Sequence, residues 1–248
     1  MSAYTPTPYP PSQNPAVSAT IIPSEWGFGS RLSWSLFGVS AFLVSIPVFV
    51  QAPLVRQWPW VSLVMTLGWV GLGYAFYRKE STSVFGDLIL GFTGSWLAGS
   101  IYWGWFRAEP LIHLPIEAIG LPVAVWAIAR RRYLVGTLFY LGSLFGTAIT
   151  DVYFYLMDLI PFWRQIMQVE VQDAFPILQT ALHQIQNSTG AIWASVLIGG
   201  LCVSGLLPLV RSEVRWGGRA SLGWWAFMGA VLSTLIVDGL FWVVVSWI

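Results

Sequence analysis

Five acidic or imidazole side chains fall inside long apolar stretches of this 248-residue chain: Asp87 near a span end, and the more informative His113, Glu117, Asp151 and Asp238. A charged side chain at the centre of a membrane helix costs about 2.5–3.5 kcal/mol on insertion scales. Groups kept at that cost mark either a structural polar cluster or a site. Glu109, His113 and Glu117 are spaced four residues apart, so on a regular helix they form one stripe. A rise of about 1.5 Å per residue places Glu117 and Asp238 roughly 4–5 Å from the middle of their spans. His113 and Asp151 lie farther out, roughly 10 Å from mid-span on the same side. Three separate segments therefore bring polar groups to a similar depth, which predicts a shared cavity. Arg107 and Glu109 are expected as a pair at its rim, and Asp87 reads as a boundary residue.

Three chemistries could use these groups. A metal site needs several convergent ligands. One in-span histidine without Glu-x-x-His spacing is a thin set, so no metal and no cofactor is expected. A proton relay needs buried carboxylates and no special motif. An acid–base enzyme acting on an isoprenoid, carotenoid or lipid would want the same carboxylates beside an apolar pocket. No phosphate-binding glycine loop, no Gly-x-Ser-x-Gly elbow and no His-Glu-x-x-His is present. The lone Cys202 excludes an internal disulfide and reads as a small packing residue.

The elements that must carry these residues follow from composition. Hydrophobic residues make up 56% of the chain and charged ones only 9%, against about 25% in an average soluble domain. An ordinary soluble enzyme is excluded. The net charge of +1 leaves no polybasic footprint for nucleic acid, so the expected partner is the lipid bilayer. Crossing it takes about 20 mostly apolar residues in helical form. Seven segments qualify, at 32–50, 60–77, 84–106, 111–129, 133–157, 190–210 and 222–246. The expected fold class is all-α, a polytopic membrane helix bundle of seven transmembrane helices in a single domain over 31–248. Residues 1–30 form a proline-rich, extended tail.

Nine basic residues share one side of this arrangement: Arg31, Arg78, Lys79, Arg130, Arg131, Arg132, Arg211, Arg215 and Arg219. Only Arg56, Arg107 and Arg164 fall on the other. The bias predicts a cytoplasmic N-terminus and a C-terminus on the outer or lumenal side. Most of the tryptophans fall near span ends, as headgroup anchors do, while Trp69 and Trp96 lie near mid-span and are expected to pack between helices. Loop 158–189 is long, and Ile177, Leu178, Ala181, Leu182 and Ile185 have helical spacing, which predicts an interfacial amphipathic helix. Pro115 and Pro122 should kink the fourth span. Gly142, Gly146 and Thr150 form a small-residue stripe that lets a partner helix approach near Asp151.

The stretch Trp103-Gly104-Trp105-Phe106-Arg107-Ala108-Glu109-Pro110, running on into His113-Leu114-Pro115-Ile116-Glu117, resembles a family of cyanobacterial integral membrane proteins of unknown function. So does Asp151-Val152-Tyr153-Phe154-Tyr155 leading to Phe162-Trp163-Arg164-Gln165. The resemblance implies a plasma or thylakoid membrane and supplies no reaction. The leading expectation is a non-catalytic accessory or assembly factor for membrane complexes, or a binder of pigment or another hydrophobic small molecule. A small proton-coupled transporter and an intramembrane acid–base enzyme are the alternatives.

Overall fold

The computed structural model describes residues 30–215 and 218–247, without the side chains of 171, 207–215, 241 and 244–247. The proline-rich tail lies outside the described residues. Seven helices are long and apolar enough to cross a membrane. They are α1 (Arg31–Gln57), α2 (Pro59–Arg78), α3 (Glu80–Phe106), α4 (Pro110–Ala129) and α5 (Leu134–Leu156), followed after two short helices by α8 (Ser188–Arg215) and α9 (Arg219–Trp247). The short ones are α6 (Ile160–Ile166) and α7 (Ala174–Ile185). No strand occurs among the described residues.

Helices α3, α5 and α9 form the centre, with α1 packed on α9 and α2 on α3. Their core joins Leu36, Leu88, Phe92, Trp96, Phe139 and Leu222, all fully buried. Trp69 and Trp96 pack edge to face or tilted within this core, around Phe92. The outer faces stay apolar: Val64, Leu67, Val123, Val125, Ile192 and Val196 are all exposed. So much outward apolar surface suits hydrocarbon rather than water.

Glycine permits the tightest crossings. A Cβ on Gly91 would meet the backbone of Gly136, and one on Gly136 would meet that of Asp87. The stripe Gly142, Gly146 and Thr150 receives Ala230, Thr234 and Asp238 of α9, also spaced by four.

The first span runs to Gln57, seven residues past its expected end. Pro53 lacks an amide and its ring crowds the carbonyl four residues back. The turn before it widens into a π-turn, Pro47–Gln51, closed by Ala52 N–H donating to Pro47 O. That widening turns Gln51 inward, fully buried. Its Nε2 donates to Trp96 O at 2.6 Å and Ser100 Oγ at 2.9 Å, and Trp96 Nε1 donates to Ser62 O at 2.9 Å. A polar tie thus joins α1, α2 and α3.

Asp87 lies near the end of α3, beside the first turn of α5, yet it is not solvated there. It is 1% exposed and accepts the amides of Val135 at 3.2 Å and Gly136 at 3.1 Å. Both donors belong to the first turn of α5, whose amides have no partner within the helix. Asp87 on α3 therefore caps a neighbouring span.

The turns gather at two ends. At the basic end Tyr77 and Tyr133 lie ring to ring at 5.0 Å, and Arg219 donates to Ser83 Oγ at 2.8 Å. At the far end α7 turns the half-buried Ile177, Leu178, Ala181, Leu182 and Ile185 inward and leaves Gln179, Thr180 and His183 exposed. Gln184 Nε2 ties it to the end of α5, donating to Met157 O at 2.9 Å.

Candidate functional site

Span α4 is helical only in pieces. Its turns run 3-10 over Pro110–Ile112, α over His113–Glu117, 3-10 over Ala118–Gly120 and α over Leu121–Ala129. Pro115 and Pro122 each remove an amide and crowd a preceding carbonyl, so a continuous ladder cannot form. Two backbone groups at the break are taken by Tyr140 of α5. Its hydroxyl donates to Glu117 O at 2.6 Å and accepts Gly120 N–H at 3.0 Å. Backbone left unpaired at this depth would cost several kcal/mol, so Tyr140 holds the break open in one geometry.

That geometry sets His113 between two carboxylates. His113 Nδ1 is hydrogen-bonded to Asp151 Oδ1 of α5 at 3.1 Å, and Nε2 lies 3.9 Å from Glu117 Oε1. The side chains of His113, Glu117 and Asp151 are 19%, 12% and 13% exposed. The imidazole lies over the Tyr102 ring of α3, centroids 4.1 Å apart, which fixes its plane.

Asp238 approaches from α9. Thr150, next to Asp151, donates from Oγ1 to Asp238 Oδ2 at 2.8 Å. His113, Glu117, Asp151 and Asp238 all line one cavity of about 170 Å³ between α1, α3, α4, α5 and α9. Asp238 is exposed, so the cavity reaches the bundle surface there. A second cavity of about 90 Å³ adjoins the first at the His113–Asp151 pair. Its wall is largely aromatic, with Tyr102, Phe154, Tyr155 and Trp163, and it extends to Ile160 of α6 at the far end. His113, Thr150 and Asp151 are common to both cavities.

Glu109 and Arg107 do not form the expected rim pair. Glu109 does not join the stripe either. As the residue before Pro110 it is forced out of the helical region, with φ −119° and ψ 92°. Its carboxylate turns to Arg164 of α6, accepting from Nη2 at 2.8 and 3.0 Å. The Arg164 guanidinium holds the Glu109 carboxyl below the usual carboxylate range. Arg107 and Glu109 are two residues apart and do not face one another. Arg107 contributes its carbonyl, which accepts from Trp163 Nε1 at 2.8 Å.

Among the described residues no group of three His, Cys, Asp or Glu side chains is arranged to hold a metal ion. The chemistry on hand is that of three carboxylates, an imidazole and several hydroxyls, with no lysine or arginine in the lining. Such a lining takes up protons or cations and repels anions. Neither Tyr140 nor Gln51 stands out in the sequence, and Asp87 stands out only as a boundary residue. Gln51 nonetheless carried a signal, a lone amide between Pro47 and Pro53 in an otherwise apolar run.

Neither a curated protein nor a solved structure matches the chain. A family model does, the one described as a protein of unknown function (DUF3120), over residues 40–246. The match takes in all four cavity residues and most of every span, and this multi-pass membrane chain therefore belongs to the DUF3120 family.

Proposed function

We propose that the protein is a small proton-coupled carrier, with His113, Glu117, Asp151 and Asp238 as its proton-binding groups. One observation carries the reading: His113 stands between Asp151 and Glu117 in the wall shared by two cavities. A proton arriving through the aromatic vestibule meets the Asp151–His113 pair before it reaches Glu117. The broken span α4 supplies the kind of interrupted helix that lines membrane transport sites. The excess of basic residues at one end supports a cytoplasmic N-terminus, with the vestibule facing the outer or lumenal side. A plasma or thylakoid membrane of a cyanobacterium is the setting that the resemblance supports. An accessory or assembly role is supported by composition, and neither it nor an acid–base enzyme draws a specific observation from the cavity.

The test is flux through the purified full-length protein in liposomes. A pH gradient is imposed and followed by a trapped fluorescent dye, and solutes are added by class: cations, anions, sugars, amino acids. One class is expected to collapse the gradient, and Glu117→Gln and Asp151→Asn to abolish that collapse. Folded protein that moves protons with no solute class overturns the proposal.

A further inference from the structure

The polar cavity has unmet hydrogen-bonding capacity. Ser95 of α3 lines it, is 6% exposed, and its Oγ has no hydrogen-bond partner. Asp151 uses Oδ1 on His113 and leaves Oδ2 buried without a partner. Buried polar groups are ordinarily paired, and such exceptions in a cavity point to something that completes them. Glu117 and Asp238 add two more carboxylates to the same wall. No lysine or arginine lines the cavity to balance three acids.

The rest of the lining is partly apolar, with Val44, Pro47 and Val48 of α1 and Val237 of α9. A bare metal ion has no use for that surface, and Gly99 and Pro47 offer it no side-chain ligand. The volume, about 170 Å³, is close to that of an apolar cavity of about 150 Å³ known to hold benzene. Carboxylates and hydrocarbon in one lining suit a compact ion with both characters.

We infer that the cavity between α1, α3, α4, α5 and α9 binds a small organic ammonium ion that keeps an N–H donor, about the bulk of trimethylammonium, in exchange for protons. The inference rests on the reading of this cavity as the carrier's site and names the ligand class. The cation and the proton compete for the same carboxylate oxygens, so loading one releases the other to water and the charge balances. Other titratable groups around the cavity are Tyr102 on the His113 ring, Tyr140 at the Glu117 carbonyl and Tyr155 in the vestibule. The Glu109–Arg164 pair lies beyond them at the far end. None brings a competing cation into the lining.

The experiment is equilibrium binding of radiolabelled trimethylammonium to full-length protein in a non-ionic detergent. This ion is chosen because its single N–H can donate to Asp151 Oδ2 while its methyl groups meet the apolar lining. Saturable binding is expected at pH 8 and is expected to weaken about tenfold or more at pH 5, a typical coupling between ligands of one site. Tetrapropylammonium should fail to displace the label on size, and acetate on charge. Glu117→Gln and Asp151→Asn should each weaken binding about tenfold, within the usual range for coupled groups, while Glu80→Gln at the basic end should not. Absence of saturable binding at pH 8, displacement by acetate, or binding indifferent to pH overturns the inference. The pH comparison uses the unaltered protein, so a variant that fails to fold leaves the test intact. Gradient-coupled flux of another solute without trimethylammonium binding overturns the ligand and spares the carrier. Trimethylammonium binding without flux of any solute does the reverse.

Discussion

Removing one oxygen atom from Tyr140 should disturb the site without touching a charged residue. In Tyr140→Phe the ring stays, but Glu117 O loses its donor and Gly120 N–H its acceptor. Hydrogen bonds between membrane helices average about 0.6 kcal/mol in double-mutant cycles and reach about 1.7. Two of them give a loss of about 1–3.5 kcal/mol. The upper part of that range is expected, because both partners are backbone groups beside Pro115 and Pro122 and cannot recover a regular ladder. The assay is reversible unfolding in mixed micelles, followed by circular dichroism. Ser195→Ala is the control. Its hydroxyl bonds within α8 to Ala191 O at an exposed position and should change stability little. Amide exchange at Gly120 should accelerate in Tyr140→Phe. Cation binding should weaken as Glu117 loses its fixed place. A loss below about 0.5 kcal/mol, less than one average membrane hydrogen bond, refutes the reasoning if Gly120 exchange is also unchanged.

Asp87→Ala should cost about 2–6 kcal/mol, since two buried amides of α5 each lose a partner worth about 1–3 kcal/mol, and Asp87→Asn should cost less. Micelle unfolding measures both. Gly91→Ala should destabilise by about 1–3 kcal/mol or more, because the new Cβ meets the Gly136 backbone, which cannot move aside. Gly38→Ala, with nothing within 4 Å, should be neutral or gain up to about 1 kcal/mol from helix propensity, as thermal unfolding would show. Arg164 lowers the Glu109 carboxyl, so the pair's contribution is present above the ordinary carboxylate range and fades as pH falls through the native value. The melting-temperature difference between the protein and Arg164→Ala should therefore close in acid and persist at neutral pH.

The seven spans were legible because span length and hydropathy are local properties. The depth of each polar residue followed from counting along its own span. Pro115 and Pro122 announced a broken α4, since the missing amides are a covalent fact. The amphipathic spacing of α7 could likewise be read from 177–186 alone. The break's location and its repair could not, because Tyr140 comes from another helix.

Partner choice marks the same boundary. Glu109 was read with Arg107 because they are neighbours in sequence, yet its ion pair is with Arg164, fifty-five residues on. Asp87 looked like a span-end residue, and only the crossing of α3 over α5 at Gly91 and Gly136 makes it a cap. The amino-acid order by itself determined that this is a greasy seven-span chain keeping four acids and a histidine inside its spans. Tertiary structure alone decided that His113 sits between Glu117 and Asp151, that Thr150 bridges to Asp238, and that a cavity remains among them. Burial in a span is set by composition over twenty residues. Convergence is set by which helix faces meet, and that depends on small residues, prolines and hydrogen bonds far apart in the chain.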